Sequence, residues 1–316
     1  MSKSNDTLVS VIIPTYKRSE SLVRAIKSVI TQTYKNIEII VVDDNASFPE
    51  IRENNKKTIQ NYPELIFVEN ETNLGGGLSR NEGIKVAKGK MIAFLDDDDE
   101  YFPSKIEKQM RLYNSIDKTN VALIYCYAEM INVDGSSYIY KNDLEGCPLI
   151  ENIEHCVAPT SFWLCERELL LNVGGFEKIS SRQDASLITK LLINNYEIYR
   201  VPEVLLKYYW HNSANGISKN NINSVNAEKQ YREMFLKLAR DSNLSKNIVA
   251  EGDYQFLYRL AREYVVIGMW KEALKVLSRM NRYHLVGKKN IRIFLTAVFN
   301  KMYKVLYLKK NKKRVG

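Results

Sequence analysis

The stretch "MIAFLDDDDEYFP", residues 91–103, sets four aspartates, Asp96 to Asp99, directly behind an apolar run. Carboxylates this close repel, and each raises the free energy of its neighbour's ionised form. Such a run calls for a positive partner. The apolar residues in front of it have counterparts elsewhere: "LVSVIIP" (8–14), "IEIIVVDD" (37–44), "LIFVEN" (65–70) and "VALIYCY" (121–127). Between them lie amphipathic stretches such as "SESLVRAIKSVITQTY" (19–34) and "SRNEGIKVAKG" (79–89). Strands that are apolar throughout and alternate with helices predict a mostly parallel sheet with helices on both faces.

Ligands of such sheets bind beyond the carboxyl ends of the strands, and the polar clusters fall there. "PTYKR" follows the first strand, "DDNAS" the second, "NETNLGGGLSRN" the third and "DDDDE" the fourth. Carboxylates, glycines and an arginine therefore converge on one rim. In an extended backbone alternate side chains share a face, so Asp96 and Asp98 are expected to point together, with Asp97 and Asp99 elsewhere. Two carboxylates on one face suit Mg²⁺ or Mn²⁺, which fill their remaining positions with water and substrate phosphate. The same run also reads as an acidic turn leading into the next helix, with Pro103 in its first turn. Gly75, Gly76 and Gly77 lack the G-K-[ST] of a phosphate loop and read as a close backbone turn beside the ligand.

The chain has 316 residues, 45% of them hydrophobic and 26% charged, the composition of a globular protein. The start, "MSKSNDTLVS", has no apolar core of a signal peptide, and no run approaches the roughly 18 to 20 apolar residues of a spanning helix. A cytoplasmic protein is expected. Cys126, Cys147, Cys156 and Cys165 form no C-x-x-C pair, so they read as reduced, mostly buried thiols. The net charge of +9 belongs to the end, because residues 287–316 carry ten Lys or Arg and no Asp or Glu. A near-neutral body with a basic end argues against nucleic acid and for a local contact with an anionic surface.

From about residue 219 strands disappear. "DYQFLYRLAREYVVIGMWKEALKVLSRMNRY" (253–283) reads as two helices joined near Gly268, with Ala261, Tyr264, Ala273 and Leu277 spaced like a tetratricopeptide hairpin. Residues 288–316 interleave Ile291, Leu295, Val298, Met302 and Val305 with lysines, the pattern of an amphipathic helix at a membrane surface or packed on the body. The expected organisation is a ligand-binding α/β domain over 1–218 and a helical region over 219–316 that ends in a basic amphipathic tail. An oligomer is compatible with either.

Taken together, "VSVIIPTYKR", "NIEIIVVDDNAS", "NLGGGLSRNEGI", "MIAFLDDDDEYFP" and "GGFEKISSRQDASL" resemble the family 2 inverting glycosyltransferases of the GT-A fold, over roughly residues 8–211 and in the family's order. The resemblance implies a metal-dependent transfer from a nucleotide-sugar donor, uridine diphosphate in the usual case, to a saccharide acceptor. It implies that Pro14, Thr15 and Tyr16 contact base and ribose, that Asp44 accepts the uracil imide N–H, and that Arg80 lies on the nucleotide side. Asp96 and Asp98 match the D-x-D motif, with Asp98 the direct ligand of Mn²⁺ or Mg²⁺ and Asp96 nearer the ribose and metal waters. Asp97 receives no role. Asp184, in the Gln183-Asp184 pair after the "GGF" turn, is the expected base. It also reads as a carboxylate at a helix start, which would lower its pKa. His211 is a candidate metal or phosphate contact, and Trp163 a candidate lining of the acceptor side.

A sugar diphosphate leaving group gains negative charge as it departs, so a cation and an arginine belong beside it. The basic tail suggests a lipid-linked acceptor at the inner face of the cell membrane. The abundance of Tyr, Lys, Asn and Ile suggests a bacterial source, hence capsule or cell-wall polysaccharide synthesis. Two other functions fit part of the pattern. A nucleotidyltransferase would share sheet and metal but usually carries a glycine-rich loop after the first strand, where "PTYKRSES" has no glycine. A sugar-nucleotide-binding scaffold would not need Asp184.

Overall fold

The apolar runs become strands. In the computed structural model, which describes residues 7–117, 119–210 and 222–280, β1 (Val9–Thr15), β2 (Ile37–Asp43), β3 (Ile66–Glu69) and β4 (Met91–Phe94) pair in parallel in the order β3-β2-β1-β4. Val9, Val11, Ile12, Ile13 and Ile92 are wholly enclosed, as a strand covered on both faces requires. The helices α1 (Ser19–Ile30), α2 (Pro49–Ile59) and α3 (Gly76–Val86) follow the first three strands. α1 buries Leu22, Ala25, Ile26 and Val29, one face at helical spacing, each large apolar side chain contributing about 1.5 to 3 kcal/mol. α3 lies against β1 so closely that a Cβ on Gly83 would meet Ile12 Cγ2 at 2.4 Å.

Past β4 the sheet turns mixed. Among the described residues, β5 (Glu100–Tyr101), β6 (Val121–Ile131), β7 (Ser137–Tyr140), β8 (Leu164–Glu166) and β9 (Glu197–Tyr209) complete a nine-stranded sheet in the order β3-β2-β1-β4-β8-β6-β9-β5, with β7 paired to β6. β8 runs antiparallel between β4 and β6, while β6 and β9 pair in parallel and restore the direction of the first four. The expected mostly parallel sheet is therefore present with β5, β7 and β8 reversed. β9 slips in register where Pro202, which has no N–H to donate, interrupts it. Helices α4 (Lys105–Ser115), α5 (Leu149–Glu154), α6 (Arg167–Asn172) and α7 (Gln183–Ile193) cover the sheet, with a 3₁₀ turn at Thr160–Phe162.

Among the described residues, those up to 178 together with 183–210 form one compact unit, and 179–182 with 222–280 form another. The second holds α8 (Ile222–Asp241), α9 (Lys246–Val266) and α10 (Trp270–Met280). α9 and α10 meet at Gly268, and Ala261, Tyr264, Ala273 and Leu277 all lie in their shared core, as the hairpin spacing predicted. Arg259 and Glu228 pair inside this unit, both almost enclosed. No helix among the described residues is long and apolar enough to cross a membrane. The tail at 288–316 lies outside the described residues.

Two expectations are corrected here. Trp163 is fully buried, donates its indole N–H to Ala158 O at 3.0 Å and stacks on Phe176, so it is core and does not line an acceptor surface. All four cysteines are free, but only Cys126 and Cys165 are buried; Cys147 is exposed.

Candidate active site

The four aspartates do not continue β4. The backbone turns at once, closed by Asp99 N–H donating to Asp96 O at 3.0 Å, so the alternation expected of an extended chain does not apply. Asp96, Asp98 and Asp99 each offer an oxygen, all within 4.8 Å of one another. Asp99 thus joins the pair it was expected to leave. Nor does the run open the next helix, since β5 intervenes and α4 starts only at Lys105.

Every aspartate of the turn has a fixed partner. Asp99 is 1% exposed, accepting from Ser161 Oγ at 2.6 Å and Tyr209 N–H at 3.0 Å. Ser161 in turn accepts from Asp96 N–H at 3.0 Å, so the 3₁₀ turn ties both ends of the acidic loop. Asp97 accepts from Tyr16 N–H at 3.1 Å and from Arg18 Nη1 at 3.2 Å, which fastens the Pro14–Tyr16 turn to the aspartates. Arg18 also pairs with Asp98, and Arg24 donates to Asp98 O at 2.6 Å. Burial, reinforced by Asp98, pushes the Asp97 carboxyl up to about 7, and burial with the charges of Asp98 and Asp96 pushes Asp99 well above the usual carboxylate range.

Arg80, on α3 and 6% exposed, joins this turn to the other end of the site. Its guanidinium pairs with Asp96, donates to Gln183 Oε1 at 3.4 Å and stands over the Phe176 ring at 5.6 Å. Asp184 occupies the first turn of α7 beside it. The helix start was expected to hold its pKa down. Burial wins instead, and with Asp96 lifts the carboxyl to about 6 against the pull of Arg80. The next residue of α3 fixes the "GGF" turn that precedes α7: Asn81 donates to Phe176 O and accepts from Phe176 N–H, both at 2.9 Å. Lys190 holds the same turn from α7, donating to Gly175 O at 2.9 Å.

Asp44 sits at the carboxyl end of β2, 3% exposed. Its carboxylate accepts from Leu74 N–H, Gly75 N–H and Asn70 Nδ2, all at 2.8 Å. It therefore shapes the glycine turn, and Gly75 at φ 80°, ψ 161° adopts a conformation open essentially to glycine alone. Pro14 and Thr15 end β1, and Tyr16 stands 41% exposed with its ring edge-on to Phe48 at 5.9 Å. Lys17 Nζ lies 3.8 Å above the Phe48 ring.

The donor set suits a hard divalent cation. Three clustered carboxylates supply oxygen ligands, and the turn carries four carboxylates against the two guanidiniums of Arg18 and Arg80 that pair with them. The structure thus brings Asp96, Asp98, Arg80 and Asp184 together, with Pro14, Thr15 and Tyr16 joined to them through Asp97; Asp44 stands one step back, under the glycine turn. His211 lies outside the described residues. Sequence reasoning missed Arg18, Arg24, Asn81, Ser161 and Lys190. Arg18 was visible as the last letter of "PTYKR"; the others act through contacts distant in sequence that leave no local pattern.

The sequence profile of glycosyl transferase family 2 matches residues 10–174. An uncharacterized glycosyltransferase of Methanocaldococcus jannaschii is 30% identical over 235 residues, 73% of this chain and 78% of its own. A putative colanic acid biosynthesis glycosyl transferase of Escherichia coli, WcaA, is 38% identical over 103 residues, 32% of this chain and 36% of its own. Among solved structures, S. aureus TarS 1–349 in complex with UDP-GlcNAc matches with a TM-score of 0.65 at 17% identity, covering 90% of this chain and 83% of that one. The mannosyltransferase PcManGT from Pyrobaculum calidifontis, in complex with GDP-Man and Mn²⁺, matches at 0.57 and 16%, covering 96% and 83%. These two likenesses establish the GT-A fold. The profile spans just over half of the residues, including the whole aspartate rim, and the archaeal relative extends the match along most of both chains: this protein belongs to glycosyl transferase family 2.

Proposed function

We propose that this glycosyltransferase moves a sugar, with inversion, from a uridine diphosphate donor to a saccharide acceptor. The observation that carries the reading is the reach of one side chain. Arg80 touches Asp96, on the side given to the diphosphate, and Gln183, next to Asp184, so the place where charge develops and the place where a proton is taken adjoin. Asp184 accepts the proton of the acceptor hydroxyl as that oxygen attacks the anomeric carbon. The bond from that carbon to the diphosphate breaks on the opposite face of the ring. A carboxyl lifted to about 6 is ionised at neutral pH and still basic enough for the task. Mn²⁺ or Mg²⁺ held by Asp98 and Asp96 would supply charge to the departing diphosphate. Arg18 and Arg80, released from those carboxylates, turn to its phosphate oxygens. Pro14, Thr15 and Tyr16 form the base and ribose side, and Asp44 serves it by holding the glycine turn, with one further lone pair for a base N–H.

The acceptor belongs to a polysaccharide pathway in this reading. It is carried on a lipid at the inner membrane face, where the ten basic residues of 287–316 would meet anionic headgroups. The name of the Escherichia coli relative points the same way. The test is a thermal-shift titration with nucleotides and nucleotide sugars, with Mn²⁺, Mg²⁺ or chelator, on the wild type and Asp98→Ala. Metal-dependent stabilisation by uridine diphosphate or its sugars, lost in the variant, is the expected result; at a hundred times Kd it amounts to about 2.7 kcal/mol. Absence of nucleotide binding with or without metal would overturn the reading.

A further inference from the structure

With Trp163 in the core, the rim needs another surface for the acceptor, and the end of β9 offers one. Side chains alternate along a strand, so Tyr208 and Trp210 share a face and Tyr209 takes the other. Tyr209 turns to the Arg24 guanidinium, 4.2 Å from its ring, while its N–H holds Asp99. On the opposite face four rings stand edge to face in a row: Tyr140 to Phe162 at 5.9 Å, Phe162 to Tyr208 at 5.9 Å, and Tyr208 to Trp210 at 6.0 Å. Phe162 is fully buried and anchors the row, whereas Trp210 is 46% exposed. The backbone under Trp210 is fixed, because its N–H donates to Ile131 O at 2.8 Å and the neighbouring Tyr209 pairs with Ile131 of β6.

We infer that the exposed face of Trp210, backed by Tyr208, is the platform on which a sugar ring of the acceptor stacks. The inference rests on the proposed transferase reading and deepens it. The residues given to the nucleotide belong to β1, β2 and α3, whereas β9 lies on the other side of β4 and β8 in the sheet. Tyr208 stands among the carboxylates, since Asp99, Asp96, Asp184 and Asp98 all act on its hydroxyl. A half-exposed indole one ring away from that tyrosine suits a sugar: the C–H face of a pyranose packs on the indole while the attacking hydroxyl gives its proton to Asp184. A lipid tail or peptide would need a wider apolar patch.

Tryptophan fluorescence tests this directly. Of the three tryptophans, Trp163 is sealed in the core and Trp270 packs on the core of the second unit. The full chain, with uridine diphosphate and Mn²⁺, is titrated with methyl α- and β-glycosides of glucose, galactose, mannose, N-acetylglucosamine and N-acetylgalactosamine, and acrylamide quenching is followed. At least one glycoside should protect the emission. Trp210→Ala should abolish that saturable protection, and Trp210→Phe, which keeps a flat ring, should weaken glycoside binding only a few-fold in a competition assay. Both variants should bind the nucleotide within twofold of wild type. No protection by any glycoside, or protection that survives in Trp210→Ala, overturns the platform. Loss of nucleotide binding in the wild type itself would instead strike the transferase reading.

Discussion

Changing Asp184 to asparagine should abolish turnover and, at the same time, make the protein more stable, by an amount that depends on pH. The ordinary aspartate value of 3.8 is lifted to about 6, chiefly by burial, a rise of roughly two pH units, which at about 1.4 kcal/mol per unit is about 3 kcal/mol. Between those two values the folded protein holds a proton that the unfolded chain releases, so stability falls as pH rises through the window and stays reduced above it. Asparagine keeps the shape and one acceptor oxygen but never ionises. The variant should therefore match the wild type near pH 4 and exceed it by about 1 to 3 kcal/mol at pH 8, at about 2 to 4 °C in Tm per kcal/mol for a domain of this size. Chemical or thermal unfolding across pH 4 to 8 measures the gap. A variant less stable than wild type at pH 8, or a gap independent of pH, would refute the burial account of Asp184. The companion kinetic result is an acid limb near pH 6 in the wild-type rate, since the protonated carboxyl cannot take the acceptor's proton.

Other contacts carry their own expectations. Asn81→Ala leaves the backbone N–H and carbonyl of Phe176 unpaired and should cost about 1 to 3 kcal/mol. Because the turn it releases leads to α7, kcat should fall more than nucleotide affinity does, as steady-state kinetics beside calorimetry would reveal. Ser161→Ala removes the bridge between Asp96 N–H and Asp99. It should reduce the metal-dependent part of nucleotide stabilisation while sparing any metal-independent part, measured by thermal shift with and without chelator. Gly83→Ala drives a methyl into Ile12; overpacking of this kind costs about 1 to 3 kcal/mol, and Ile12→Ala should cost less in that background than it does alone, a coupling that a double-mutant cycle in denaturant melts measures.

Much of the parallel half of the fold was legible because its strands are apolar throughout and its ligand loops sit at fixed ends. The antiparallel additions were not. β8 is three residues long, β5 two, and β9 carries Pro202 and charged residues through a register slip, so none presents the period that marks a strand. Within the site, Asp96 and Asp98 stand just past a strand, and Arg80 and Asp184 could be proposed only from motifs shared with the family. The conformation of 96–99 could not, since the alternation rule assumes an extended chain and the backbone turns. The pKa of Asp184 was misjudged for a related reason: a helix start is visible in sequence, whereas the enclosure that outweighs it is assembled from distant segments. Trp163 was expected on the acceptor side and lies in the core, because burial of a lone tryptophan has no local signature.

The helix α3 has a consequence for how this chain can change over generations. Gly75 at its threshold, Arg80 and Asn81 along it, and Gly83 against Ile12 all depend on one rigid segment. Inserting or deleting one residue there would rotate everything beyond it by about 100° and shift it by about 1.5 Å, parting Arg80 from Asp96 or Asn81 from Phe176. Length variation among descendants should therefore avoid residues 75–83 and accumulate in exposed loops such as 132–136. A designer seeking a new donor would do well to exchange side chains after β1 and β2 and leave this helix unaltered in length.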